Sequence, residues 1–100
     1  MHRSYSCVRR RNKADTWVED CSIAMSFMIL MAQEQGIGCC WSQIHFRTDT
    51  DGNDAEQNVR RIFSVPDRYR IAGILSLGNP AEEKKPYLLE DADWHKVHFI

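Results

Sequence analysis

The strongest hydrophobic pattern in the sequence predicts a long helix from Thr16 to Gly36. Thr16 and Glu19 have the spacing of a capping box, in which the hydroxyl accepts the N3 backbone N–H and the carboxylate reaches back to the cap. Gly36 suits the left-handed conformation that ends a helix, and Gly38 frees the backbone after it. The predicted inner face comprises Trp17, Cys21, Ala24, Phe27, Met28, Met31 and Ala32. Four further apolar residues cover most of the remaining circumference, which predicts burial on nearly all sides: Ile23, Met25, Ile29 and Leu30.

A polar loop, "RTDTDGNDAEQ", leads to a second predicted helix. Its "DGN" sequence is a strong turn signal. Two pairs can cap the helix: Asn53 with Glu56, or Asp54 with Gln57. The i, i+3, i+4 spacing of the apolar residues predicts a surface helix packed on one side through Val59, Ile62 and Phe63.

The continuous apolar run "IAGILSL", from Ile71 to Leu77, predicts a central strand covered on both faces. "GNP" then turns the chain. Near the end, Val97 and Phe99 alternate with Lys96 and His98. This alternation is typical of a half-buried edge strand or extended arm.

Composition indicates one packed domain spanning residues 1–100. The chain has 43% hydrophobic residues and a formal net charge of -1, so its overall charge does not attract nucleic acid. Residues 1–14 form a basic arm with Arg3, Arg9, Arg10, Arg11 and Lys13. This arm lacks an aromatic platform or a reading module, which argues against nucleic-acid binding.

The sequence favours a cytoplasmic location. The longest apolar stretch, Ile23 to Ala32, is too short for a membrane span of about 20 residues. The first residues carry charge without a following apolar segment and cleavage site, so they do not form a secretory signal. We therefore expect no membrane contact and expect the four cysteines to be thiols.

The segment "GIGCCWSQIHFR" suggests several kinds of chemistry that its spacing argues against. Its glycines follow a helix, whereas a dinucleotide fingerprint follows a strand and opens a helix. Adjacent Cys39 and Cys40 lack the gap that lets two thiolates bind one zinc ion, and a disulfide between them would be strained. His45, His95 and His98 add no zinc-binding spacing, so we expect no metal site. No arrangement of serine, histidine and carboxylate points to a catalytic nucleophile.

The order of motifs from about Asp15 onward resembles the C-terminal half of the nitroreductase family of flavin-dependent oxidoreductases. A long core helix ends in "GIG" followed by "CW", namely Gly36, Ile37, Gly38, Cys40 and Trp41. A "P-x-x-Y" segment, an apolar strand, "LG-x-P" and a basic pair follow, through Pro66, Tyr69, Leu77, Gly78, Pro80, Lys84 and Lys85. The resemblance implies an α+β fold with a buried core helix and a second helix packed on a small sheet.

The resemblance also implies FMN as the cofactor, bound in a cleft between two subunits of a homodimer. The backbone that lies along the flavin ring corresponds to Cys40, Trp41, Ser42, Gln43 and Ile44. Two lysines match residues that hold the FMN phosphate, Lys84 and Lys85. NADH or NADPH would reduce the flavin, and a nitroaromatic or quinone-like acceptor would take the electrons. Because the cofactor supplies the chemistry, no catalytic side chain is expected.

Several alternatives remain open. Trp41 can equally be a core anchor that closes the helix end, and either lysine can be solvated surface. Family members are longer, and "SYSCV" is a poor version of the apolar strand expected before the helix. We infer association or incompleteness, because so few residues can scarcely cover an apolar helix on all sides. The alternatives to a flavoenzyme are a truncated, non-catalytic chain acting through assembly and a small binding protein using its basic arm.

Overall fold

Three strands and two α-helices form the fold of the part of the chain that the structure describes. The structure is a computed structural model that describes residues 3–10 and 15–100. The elements are β1 (Arg3–Arg10), α1 (Trp17–Glu34), β2 (Gly38–Gln43), α2 (Ala55–Phe63) and β3 (Tyr69–Gly78), followed by short 3-10 turns at Leu89–Asp91 and Trp94–Lys96.

The strands form one antiparallel sheet in the order β1-β3-β2. The predicted central position of β3 is confirmed, and Ile71 and Leu75 are fully buried. Cys7 pairs with Gly73 and Val8 pairs with Ile71, which leaves Ala72 as an extra residue in β3, a β-bulge. The Ala72 carbonyl instead accepts the N–H groups of Ile44 and His45, both at 3.1 Å.

The beginning of the chain contains more regular structure than the sequence indicates. Residues 1–14 are predicted as a basic arm with a poor strand, whereas β1 covers eight residues and pairs with β3 along its length. A β-ladder is made by backbone groups, so a polar segment can occupy it without an apolar face. Arg11 and Lys13 of the predicted arm lie outside the described residues.

Helix α1 begins and ends where the sequence predicts, but its capping box is wrong. Thr16 is the N-cap residue and makes no side-chain cap hydrogen bond. Its φ of -92° and ψ of 20° are not the extended conformation that aims a cap side chain at the helix N–H groups. Its hydroxyl instead donates to the Asp20 carboxylate at 3.5 Å. Gly36 has the expected positive φ, 70°.

The predicted burial of α1 on nearly all sides is also wrong. The helix contacts all three strands, and its buried residues are Cys21, Met25 and Ala32. The outer face of α1, defined here as Ile23, Phe27, Leu30 and Met31, is 57–67% exposed. A single sheet covers one side of a helix, and the described residues place no element over the other side.

Of the two predicted N-cap residues, Asn53 and Asp54, helix α2 uses Asp54. The Asp54 carboxylate accepts the Glu56 N–H at 3.1 Å, and Gly52 adopts a φ of 82° in the preceding turn. The predicted apolar stripe is wrong apart from Val59, because Ile62 and Phe63 are 67% and 53% exposed. The packed face instead combines Val59 with two charged residues, Glu56 and Arg60.

Residues 79–100 are exposed along their whole length. The expected edge strand or extended arm at the end of the chain is not half-buried, since Val97 and Phe99 are 42% and 92% exposed, and no strand is described after the 3-10 turn that ends at Lys96. Local hydrogen bonds account for the turns: the Trp94 indole N–H donates to the Leu89 carbonyl at 2.8 Å. Across the described part of the chain, neither helix combines the length and apolar character needed to cross a membrane.

Candidate functional site

Strand β2 carries most of the residues that the sequence assigns to a cofactor site. It contains Cys40, Trp41, Ser42 and Gln43, and it lies at an edge of the described sheet. Because the Ile44 N–H donates to β3, alternation along an antiparallel ladder directs the N–H groups of Cys40 and Ser42 to β3 as well. The N–H groups of Trp41 and Gln43 therefore face the free edge of β2, where a ligand can accept them.

The Trp41 indole packs over the centre of the sheet. A Cβ atom placed on Gly73 would lie 2.7 Å from both Cζ2 and Cη2 of this ring, closer than real Cβ atoms come. Glycine at position 73 therefore provides the space for the indole on β3. This contact supports the core-anchor interpretation of the Trp41 side chain and leaves its backbone N–H at the edge.

Ile44 ends the segment inside the core. Its side chain is 8% exposed and forms a cluster with Val59 and Ile71. Its N–H already donates to Ala72, as described above. Ile44 thus fixes the end of β2 against α2 and β3, whereas Cys40, Ser42 and Gln43 are exposed.

An open hollow of about 300 Å³ lies between β2 and the end of β3. Its lining includes Cys40, Ser76 and Asn79, with glycines at both strand ends. A Cβ atom on Gly38 would lie 3.2 Å from the Gly78 carbonyl oxygen and 3.3 Å from Pro80. The chain that leaves β3 therefore passes close over the start of β2.

Lys84 and Lys85 follow in the exposed segment that begins near Pro80. Among the described residues, neither lysine forms an ion pair, and no hydrogen bond joins either one to β2. Two glutamates, Glu82 and Glu83, directly precede them. The structure thus groups the predicted β2 residues together but does not join the lysines to them by a direct contact.

A charged cluster at the far end of β2, the Glu56 joint, was missed by the sequence analysis. We define it as Glu56, Arg60 and Arg70 with the backbone N–H of Ile71. Glu56 Oε1 accepts from Arg60 at 3.1 Å, from Arg70 Nε at 2.9 Å and from the Ile71 N–H at 3.1 Å. Glu56 Oε2 accepts from the second arm of Arg70 at 3.2 Å. The joint ties α2 to the beginning of β3.

The electrostatics of the Glu56 joint favour its charged form. Burial alone would raise the pKa of Glu56, but the Arg70 hydrogen bond, the Ile71 N–H and the two guanidinium charges outweigh it and lower the pKa. The Glu56 hydrogen bond and charge likewise raise the pKa of Arg70, against the opposing effect of burial. The i, i+4 spacing of Glu56 and Arg60 was the available signal, since it brings opposite charges together on one face of a helix.

The remaining candidates form no site in the described structure. Within residues 3–10 and 15–100, no three histidine, cysteine or acidic side chains are grouped to hold a metal ion. Cys39 is partly buried and Cys40 is exposed, both as free thiols. Arg11 and Lys13 of the predicted basic arm lie outside the described residues.

The fold and the position of β2 define an α+β protein in which a core helix leads directly into an exposed edge strand. Residues 2–79 match the model of the nitroreductase family. The chain belongs to this family, as the order of its motifs predicted. The α+β, nitroreductase-like fold is likewise confirmed, and it is partial relative to full-length members.

Known relatives are longer than this chain. It is 34% identical over 82 residues to a protein of Methanothermobacter thermautotrophicus that carries the provisional name NADH dehydrogenase/NAD(P)H nitroreductase, covering 82% of this chain and 39% of the relative. A protein of Archaeoglobus fulgidus with the same name is 31% identical, with 77% and 41% covered. The chain thus spans about two fifths of these relatives.

Solved structures give the same result. An FMN-dependent nitroreductase from Clostridium difficile R20291 superposes with a TM-score of 0.89 and 40% identity, over 96% of this chain and 56% of that chain. A structure from Bacteroides thetaiotaomicron superposes with a TM-score of 0.80 at 22% identity, over 96% and 53%, and supports the fold alone. The cofactor named for the C. difficile protein is the one that the sequence resemblance implies.

Proposed function

We propose that this chain forms part of an FMN-dependent NAD(P)H oxidoreductase of nitroreductase type. Electrons would pass from NADH or NADPH to a nitroaromatic or quinone-like acceptor, in the cytoplasm. The observation that carries the proposal is the free edge of β2, where two backbone N–H groups lie unused by the sheet in a chain of this family. A bound FMN would supply the redox chemistry.

The exposed edge of β2 presents backbone N–H donors, which suit the nitrogen and oxygen acceptors of a flavin ring. The outward N–H groups of Trp41 and Gln43 can donate to ring nitrogen or oxygen atoms, and fixed backbone donors stabilise negative charge on a bound ring. Cys40, Ser42 and Gln43 would shape the surface beside it. Trp41 and Ile44 would hold the segment in place through their packed side chains.

Lys84 and Lys85 are proposed to bind the FMN phosphate. Ammonium groups suit a doubly charged anion, and both lysines are exposed and able to reach a ligand. The segment that carries them starts against Gly38, at the end of β2 opposite the Glu56 joint. The ring and the phosphate would thus be bound by two segments that meet near Pro80.

A homodimer is proposed to complete the site. The outer face of α1 leaves four large apolar side chains in water, a surface typical of an interface between chains. A second copy would cover apolar surface that the described residues leave open. The chain spans only part of its relatives, so the same exposed face also supports the second candidate function, a non-catalytic chain that acts through assembly.

FMN titration followed by flavin fluorescence, with light scattering to count subunits, tests the proposal. We expect stoichiometric FMN binding by a dimer. Replacing Lys84 and Lys85 with alanine should weaken binding by at least about tenfold, since hydrogen bonds to charged groups contribute about 1.5–3 kcal/mol each. Lys96→Ala is the matched control, because Lys96 is exposed and pairs with Asp93.

The outcomes separate the candidates. Colourless protein that binds no added FMN would reject the flavoenzyme and favour the assembly function. FMN binding that is unchanged by the double lysine substitution would reject the phosphate assignment and leave the ring contacts of β2 standing.

A further inference from the structure

The imidazole of His45, one residue beyond the buried Ile44, is held on three sides. Trp17 at the start of α1 meets it edge-on, with ring centroids 4.8 Å apart and an interplanar angle of 75°. Phe46 stacks on it at 3.8 Å with a tilt of 33°. Arg70 of the Glu56 joint reaches its Nδ1 atom at 3.4 Å. Side chains from α1 and β3, together with the neighbouring Phe46, thus contact one ring.

The contact with Arg70 favours one of the two imidazole tautomers. A guanidinium group has donors and no acceptor, so a hydrogen bond at this contact requires Nδ1 to accept, which places the ring proton on Nε2. Arg70 cannot turn away easily, because Glu56 binds it at both carboxylate oxygens and its guanidinium lies 5.2 Å from the centre of the Trp17 ring. In the described structure no side chain or carbonyl accepts a hydrogen bond from His45 Nε2.

The backbone beside this ring is in an uncommon conformation. Phe46 has a φ of 58°, in the left-handed region that a bulky residue rarely adopts, and its side chain is 88% exposed. Such a conformation is unfavourable for a bulky residue and persists where the surroundings enforce it. Here it places the Phe46 ring against His45 at the surface, where little apolar area of Phe46 is buried.

We propose that His45 binds the electron acceptor: Arg70 positions its ring as the neutral Nε2–H tautomer, and the free Nε2–H donates a hydrogen bond to a nitro or carbonyl oxygen of that acceptor. The inference rests on the proposed function, because it places the acceptor beside a flavin lying along β2. His45 directly follows the residues proposed to line the flavin, within one residue length of Ile44. Arg70 is a positioning residue, since it acts through His45.

Two measurements on the full chain test the inference. Nitrogen-15 NMR of the imidazole in the flavin-free protein should show the Nε2–H tautomer of His45. In FMN-loaded protein, His45→Phe should raise KM for nitrobenzene about three- to tenfold, the size expected for loss of one neutral hydrogen bond. His45→Gln restores an N–H donor and should recover most of the loss, and His98→Phe, at an exposed histidine, should leave KM unchanged.

Each outcome is decisive. An Nδ1–H tautomer, or a His45→Phe protein whose KM equals that of His98→Phe, overturns the inference while FMN binding and the proposed function stand. If His45→Phe does not fold, the inference is tested by the tautomer of wild type and by the kinetics of His45→Gln. A KM of His45→Gln far above that of wild type would contradict a role of His45 as a simple hydrogen-bond donor. Failure to bind FMN removes the proposed function and the acceptor contact together, whatever the tautomer.

Discussion

Charged side chains are buried in the Glu56 joint, whereas apolar side chains are exposed on the outer face of α1. At the joint, a carboxylate and a guanidinium are each only 7% exposed, and every Glu56 oxygen accepts a hydrogen bond. On the outer face of α1, Phe27 and Leu30 are 67% and 64% exposed. The buried Glu56 carboxylate is fully paired, although Arg60 Nε beside it is buried without a hydrogen-bond partner, and apolar side chains are exposed where the described residues offer no cover. The partners of Glu56 all lie within this chain, whereas the described residues leave the outer face of α1 uncovered.

Breaking the joint is expected to have the largest effect on stability. Glu56→Ala leaves Arg60 and Arg70 without their buried anion and the Ile71 N–H without its acceptor. Removing one partner of a buried ion pair costs about 3–5 kcal/mol. Urea unfolding followed by circular dichroism measures the loss, with exposed Gln57→Ala on the same helix as the control. A cost below about 1 kcal/mol, a typical surface-pair value, would show that the joint is not a stabilising unit.

Acid unfolding provides a second measurement on the same residue. Because the pKa of Glu56 is lowered by folding, the unfolded chain takes up its proton first as the pH falls. Its stabilisation is therefore present above the ordinary glutamate range and is lost as the pH falls through the lower, folded value. Glu56→Gln should remove this part of the acid dependence. An unchanged slope of stability against pH in that variant would contradict the pKa assignment.

Met25 and Phe27 allow a direct comparison of the covered and the exposed sides of α1. Met25 is 1% exposed against the sheet, and Phe27 is 67% exposed on the outer face. Met25→Ala should cost about 2–5 kcal/mol through the cavity it leaves. Phe27→Ala should change the stability of the single chain by no more than about 0.5 kcal/mol. Urea unfolding at low protein concentration measures both.

Light scattering at higher concentration completes this test. If the outer face of α1 joins two copies, Phe27→Ala lowers the fraction of dimer while the stability of the single chain stays the same. Equal dimer fractions in wild type and Phe27→Ala would place the interface elsewhere on the molecule.

The sequence predicted those features that depend on local chemistry. Gly36, Gly52 and Asp54 act at the positions that their backbone and side-chain preferences indicate. The apolar run beginning at Ile71 identified the central strand, because a short continuous run of strand length is typical of a strand covered on both faces. The order of several motifs then identified the family. No single motif was specific enough to do so.

The errors arise where long-range packing decides the outcome. Phe27 and Met25 are both apolar, so periodicity could not say which one the sheet would cover when the helix is apolar all round. Glu56, and not Ile62, lies on the packed face of α2. Its partner Arg70 is 14 residues away in the sequence but adjacent in space, so local spacing could not indicate the pair. For the site, the sequence located the β2 segment but could not show that Trp41 packs on Gly73, a contact between different strands.

The smallest expected effect concerns the two helix starts, where the sequence indicated caps of similar quality. Asp54→Ala should cost about 1 kcal/mol, because its carboxylate accepts the Glu56 N–H at 3.1 Å from an extended backbone. Thr16→Ala should cost no more than about 0.5 kcal/mol, because its hydroxyl bonds to Asp20 and not to a helix N–H. Urea unfolding of the two variants side by side measures the difference. Equal losses would mean that Thr16 caps α1 in solution, and the capping box read from the sequence would then be correct after all.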